Sequence, residues 1–279
     1  MPIHDQSYRR YRGSRGRARA AWIVIARTGI RNMLGQRLFL GLLIAAWMPF
    51  LVRAVQIYLA ANFPQFDLLN PSTSTYREFL EQQGLFVFFI TIYVGAGLIA
   101  NDRRAHALQV YLAKPLTRTQ YIAGKLAIVT AFLLLVSWLP GVLLLVVQVL
   151  FEGRLVFVTE HPWLVPAITG YSAAEVSLSA FSMLALSSLS TSSRYVAVMY
   201  AGVTIFTGAV SGVLHVITGG TGLAWISFAA NVTQIGDVLF GVQPRYDSPW
   251  TVSVAVVLVI IVGSVAVLER RVRGVEVVT

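Results

Sequence analysis

Ser211 and His215 stand one helical turn apart, a spacing at which an imidazole could take a proton from a hydroxyl. A working nucleophile of that kind also needs a group that orients the histidine and donors around a developing oxyanion. The surrounding sequence supplies neither, so the pair reads as ordinary polar residues of a helix bundle rather than a hydrolase dyad. The chain has no cysteine, which excludes disulfides, thiol nucleophiles and Cys-ligated metals. Its four histidines (His4, His106, His161, His215) are scattered and form no ligand-spaced pair with an acid. No catalytic, cofactor-binding or metal-binding set emerges, and the chain by itself is not expected to be an enzyme. One ionisable group does stand deep in an apolar run: Glu175, about eleven residues into its segment and near mid-depth. An unpaired carboxylate there is costly, so it is protonated, hydrogen-bonded inside a bundle, or facing a wet cavity. Ser172, Ser177 and Ser179 offer hydrogen bonds. Arg53 is an available ionic partner, although snorkelling to the outer surface is the favoured reading for it.

The elements that must position these residues are membrane helices. Hydrophobic residues make up 56% of the 279 and charged ones 12%, and the mean hydropathy is +0.70. Several runs of about 20 apolar residues predict an all-α polytopic membrane protein. Six spans can be drawn, at residues 38–59, 84–100, 126–150, 164–189, 195–217 and 251–268. An even number puts both termini on one side, and eighteen of the 22 Lys/Arg fall in the segments on that side. The positive-inside rule makes it the cytoplasm, and the membrane a bacterial cytoplasmic one. The net charge of +10 is therefore mostly a by-product of topology and of contact with anionic lipid, and no nucleic-acid partner is expected. The Arg-rich first twenty residues resemble no cleavable signal peptide and predict a disordered basic arm, with a cytoplasmic tail at 269–279.

Three stretches outside the spans have a design of their own. Residues 21–37 place Arg27, Arg31 and Asn32 on one face and Trp22, Ile23, Ala26, Ile30, Met33 and Leu34 on another, which predicts a helix lying along the inner surface. Residues 218–250 on the outer side are too apolar for a solvated loop. They predict short helices around Gly222–Ile226 and Ile235–Phe240 that dip into the membrane, either lining an outer gate or forming an interfacial lid. The third stretch, 101–125, is a polar island with five Lys/Arg against one Asp. Within it Leu108, Tyr111 and Leu112 fall at i, i+3, i+4, predicting a short helix over 102–114 with one apolar face. Pro115 ends that helix, and Thr117 with Gln120 forms a capping box for the next. In the fifth span Gly208 and Gly212 make a GxxxG that permits close helix approach, although such patterns also arise by chance.

The run Asn101-Asp102-Arg103-Arg104, then Leu108-Gln109-Val110-Tyr111-Leu112-Ala113-Lys114-Pro115-Leu116-Thr117-Arg118, then Gly124-Lys125, resembles the membrane subunit of ABC-2 type ABC transporters. The C-terminal Glu269-Arg270-Arg271-Val272-Arg273-Gly274 strengthens the likeness to the branch holding the nitrous-oxide-reductase maturation permease. Ala105-His106-Ala107 departs from the Gly-Thr pair common in the family. The resemblance implies the permease subunit of an exporter. It implies a homodimer of this chain joined to two ATPase subunits, with the helix at 102–114 docked in a groove on the ATPase. Contacts would come from Arg103, Arg104, Leu108, Tyr111, Leu112, Pro115 and Leu116, and Gly208 with Gly212 would serve the dimer interface. ATP and magnesium would sit on the partner. This chain agrees, since Gly124-Lys125 is followed by Leu126, with Thr119 where the first glycine of a phosphate loop would be. An ATP-independent carrier built from inverted repeats is the alternative, but the halves 38–150 and 164–268 are unlike. No pocket motif names the cargo.

Overall fold

The computed structural model describes residues 21–63, 72–106, 116–152 and 159–272. Among them the chain folds into helices with short connections. These are α1 (Ala21–Leu34), α2 (Arg37–Asn62), α3 (Thr73–Arg104), α4 (Arg118–Val136), α5 (Trp138–Glu152), α6 (Leu164–Leu189) and α7 (Ser193–Thr218). A 3₁₀ turn at Ala224–Ile226, α8 (Phe228–Leu239) and α9 (Trp250–Arg271) complete it. Six segments are long and apolar enough to cross a membrane: α2, α3, α4 together with α5, α6, α7 and α9. The chain is a polytopic helical membrane protein, as its hydropathy requires. Lipid offers backbone groups no partners, so each span must satisfy its own.

Two span boundaries differ from expectation. The second span was drawn from residue 84, yet α3 begins at Thr73, with the Ser72 N–H donating to Thr75 Oγ1 at 3.1 Å. Arg77, Glu78 and Glu81 make that stretch read as solvated, whereas in the fold Arg77 is only 1% exposed and has protein partners. The third span is two helices. Pro140 has no N–H to give the Val136 carbonyl and crowds that turn, so α4 stops at Val136 and α5 begins at Trp138, with Ser137 between them. The capping box at the start of α4 forms as its residues suggest: Gln120 N–H donates to Thr117 Oγ1 at 3.2 Å, and Thr117 N–H to Gln120 Oε1 at 3.3 Å. Residues 102–104, with which the helix at 102–114 was expected to begin, are the last turn of α3. His106, at a left-handed φ of 51°, follows the end of that turn.

Burial sorts the helices. Of the most apolar stretch of α6, 61% is buried, and of α3, 56%, against 11% for α2 and for α7. The core is therefore the α3–α6 pair, with α2 and α7 at the periphery. At the contact Ser187 of α6 reaches into α3, accepting from the N–H groups of Ile99 (3.1 Å) and Ala100 (3.0 Å) and donating to the Ala96 carbonyl (2.9 Å). Such a hydroxyl finds no water to compete for it in a bundle interior, and it pins one helix against the other.

The helix α1 lies on α4. Their crossing depends on Gly124, where an added Cβ would stand 2.8 Å from Ile25 Cβ and 3.0 Å from the Trp22 carbonyl oxygen. Backbone on the far side cannot yield as a side-chain tip can. Gly124→Leu should therefore lift α1 off α4 at a cost of about 1–3 kcal/mol. Gly41→Leu, which meets nothing within 4 Å, should be neutral. Hydrogen exchange over α1 checks this, with faster exchange expected only in the Gly124 variant.

Candidate functional site

Charged residues of α8 and of the segment after it converge on the first turns of α3. Arg77 projects from α3 into a space walled by α6 and α8, and it is accommodated there because Gly236 lacks a side chain. A Cβ at Gly236 would sit 2.7 Å from both Arg77 Nε and the Tyr171 ring. A guanidinium in such a place needs every donor met. Arg77 Nε donates to Asp237 Oδ1 at 2.9 Å, Nη2 to the Thr233 carbonyl at 3.1 Å, and Nη1 to Glu81 Oε2 at 3.4 Å. Its face lies over the Tyr171 ring, 5.3 Å from the centroid. Asp237 is fully buried, and its second oxygen accepts the Arg245 N–H at 3.2 Å.

A half-exposed second pair lies above the buried one. Arg245 grips Glu81 with both terminal nitrogens, at 2.7 and 2.5 Å, the fork geometry that suits a carboxylate. Hydrogen bonding to Glu81 raises the Arg245 pKa still further above its ordinary value. The segment after α8 is tied back as well: Gln234 Nε2 donates to the carbonyls of Ser248 (2.8 Å) and Tyr246 (3.2 Å). Thr221 donates to Asp247 Oδ2 through its hydroxyl (2.6 Å) and its N–H (3.0 Å), and these bonds hold the Asp247 carboxyl below its usual pKa. A depressed carboxyl keeps its contribution above the unfolded pKa and loses it as pH falls through the folded one. The staple thus stands at neutral pH and opens only in acid.

Below this network Glu175 is 7% exposed. Its Oε2 lies 3.2 Å from the Ser137 hydroxyl, which is itself 3.0 Å from Ser172 Oγ. Ser137 stands at the junction of α4 and α5, within reach of α6. Arg53 does not meet Glu175; it donates to Glu78 (3.2 Å) and Gln56 (2.9 Å). Glu175 faces a cavity of about 300 Å³ between α3, α6, α7 and α8. A second cavity, of about 510 Å³, adjoins it and is lined by Gly208, Ser211, Gly212 and His215. No hydrogen bond between Ser211 and His215 occurs among the described residues, and no cluster of three potential metal ligands does either. A third cavity of about 780 Å³ opens at the other end, between α1, α3, α4 and the start of α7.

The expected site residues therefore fall in separate places. Glu175 lines one cavity; Gly208 and Gly212 line its neighbour, and Gly212 has open space before it. At the opposite end Arg103 Nη1 donates to the Ser188 carbonyl, Arg104 is exposed, and Leu116 packs half-buried against the core. Leu108, Tyr111, Leu112 and Pro115 lie outside the described residues. The Arg77–Asp237 pair was not anticipated. Its local signs were a Ser72 helix start and the i,i+4 spacing of Arg77 and Glu81, but nothing local points to Asp237. No protein-family model matches this chain, and no curated protein does.

Burial decides how much each ion pair contributes. Arg77→Met strands a fully buried Asp237 and should cost about 3–5 kcal/mol, while Arg77→Met with Asp237→Leu should recover most of it. The Arg245–Glu81 pair is 46% and 37% exposed, so Arg245→Ala should cost no more than about 1 kcal/mol. Thermal denaturation of the purified protein in detergent reads all three, and equal losses for Arg77→Met and Arg245→Ala would contradict the ranking.

Proposed function

We propose that this chain is the membrane subunit of an ATP-driven exporter of the ABC-2 type, working as a homodimer with two copies of a separate ATPase. In this reading α1 lies along the cytoplasmic surface, both termini are cytoplasmic, and the 3₁₀ turn with α8 forms a re-entrant outer element. The 107–115 segment carries the helix that docks on the ATPase, and α7 meets its copy through Gly208 and Gly212. ATP and magnesium belong to the partner.

The supporting observation is the bracing of the two helix ends that flank residues 107–115. At the end of α3, Asp102 forms an ion pair with Lys125 of α4 at 2.7 Å and accepts the Tyr121 hydroxyl at 2.7 Å. Arg103 adds its bond to the end of α6. A helix held between such ends passes any displacement on to three spans at once, instead of dissipating it in a slack loop. That is the mechanical property a docking element needs if closure of an ATPase pair is to rock the spans as rigid bodies. An amphipathic helix with Leu108, Tyr111 and Leu112 on one face fits groove docking.

Co-expression with the ATPase that copurifies with the chain tests the proposal. Tyr111→Ala should abolish transport-coupled ATP hydrolysis while leaving insertion and dimerisation intact, because buried aromatics dominate such interfaces. Should Tyr111→Ala with Leu112→Ala leave assembly and transport unchanged, the helix is a membrane-surface element only. Orientation has its own check in this cysteine-free chain. Single cysteines at Thr73 and Tyr246 should react with an impermeant reagent from outside intact cells, and one at His106 should not.

A further inference from the structure

The cavity that holds Glu175 has the make-up of a cation site. Charges nearby can be paired off almost completely: Arg77 with Asp237, Arg245 with Glu81, and Arg53 with Glu78. Glu175 is left with a serine hydroxyl and no cation within ion-pair distance among the described residues. Part of the cavity wall is aromatic. Phe88 and Tyr200 stack with centroids 5.9 Å apart, and Phe228 meets Tyr200 edge-on at 6.1 Å. All three rings line the same cavity as Glu175. Ring faces attract cations through their quadrupoles, most strongly where water is excluded, and such rings around a carboxylate favour a weakly hydrated organic ammonium over a metal ion. An anion would find two acids in the lining, Glu175 and Glu81, and, among the described residues, no cation left to receive it. A neutral guest would leave the carboxylate as it was, uncompensated.

We infer that this cavity binds a small organic monocation, with its ammonium head against Glu175 and the Phe88–Tyr200–Phe228 rings. At about 300 Å³ the space suits a guest at the lower end of the small-molecule range. The adjoining larger cavity shares Glu81, Ala229 and Thr233 in its wall and gives the guest a way past α8. That the guest is cargo rests on the transporter reading; that it binds does not.

The test uses the full chain in lipid nanodiscs without any ATPase, with empty discs as the blank. The probe is benzyltrimethylammonium, compared with neopentylbenzene, which has the same shape with carbon in place of the charged nitrogen. One saturable site per chain is expected for the cation, and at least about tenfold weaker binding for the uncharged twin. Glu175→Gln should weaken the cation by at least about tenfold, Glu175→Asp by less, and Tyr200→Leu by about three- to tenfold. Should the Glu175 variants fail to fold, Tyr200→Leu, Phe228→Leu and the charged-against-neutral comparison still decide. Equal binding of the two probes, no saturable binding, or indifference to Glu175→Gln would overturn the inference. Cation binding by a chain with which no ATPase copurifies would keep the site and remove the transporter reading. Coupled ATP hydrolysis without cation binding would do the reverse.

Discussion

One half of this protein is organised by one demand, that a guanidinium without water be given partners on every side. Arg77 is 1% exposed. Taking its charge out of water costs several kcal/mol, and the Coulomb attraction of Asp237 offsets this only with well-placed hydrogen bonds around both groups. Those bonds come from three places in the chain: Glu81 on α3, and Thr233 and Asp237 on α8, with Tyr171 of α6 beneath the guanidinium plane. Meeting the demand therefore fixes α8 against α3 and α6. Once α8 is so placed, Phe228, Ala229, Val232 and Thr233 become the wall of the cavity in which Glu175 sits. The cavity exists because the arginine had to be satisfied.

The same economy of charge explains why Glu175 differs from its neighbours. Among the described residues, Arg53, Arg77 and Arg245 each have an acid within 3.4 Å, and Glu81 and Asp237 each meet two arginines. Glu175 has the Ser137 hydroxyl instead, which is shared with Ser172. A bundle optimised only for stability would place an apolar residue there, since replacing an isolated buried ionisable group by a packed hydrophobe removes a desolvation cost without losing a partner. Retaining the carboxylate beside an open volume and an aromatic wall is what gives that volume a chemical preference.

The sequence disclosed what depends on averages and hid what depends on particular long-range partners. Six spans were legible because hydropathy summed over about 20 residues overwhelms single exceptions. The capping box of Thr117 and Gln120 was legible because it is local. Glu175 stood out because an ionisable group in an apolar run is rare. Arg77 was hidden by its own neighbours: with Glu78 and Glu81 beside it, the stretch averages to a solvated loop. Its principal partner lies 160 positions away in another polar-looking segment. Arg53 shows the same limit, since the sequence offered it Glu175 or the membrane surface and the fold gives it Glu78. The break at Ser137 was in principle readable from Pro140, but a proline in a membrane span sometimes kinks and sometimes divides it.

The helix α3 joins these regions mechanically. It is one helix from Thr73 to Arg104, and 32 residues at 1.5 Å per residue give a rod of about 48 Å. Arg77 anchors one end to α8, Ser187 pins it to α6 along the way, and Asp102 with Arg103 ties the other end to α4 and α6. A rod secured in this way has little freedom to bend, so a force applied beside Arg104 reaches the level of Arg77 as a tilt. The two ion pairs there differ in what a tilt would cost them. The Arg245–Glu81 pair is exposed, and water can replace either partner. The Arg77–Asp237 pair is sealed, and separating it would strand two charges. Under the transporter reading, α8 would therefore travel with α3 on the buried pair, and Arg245 would follow through its backbone bond to Asp237. The wall of the Glu175 cavity and that of the cavity beside it would then move together.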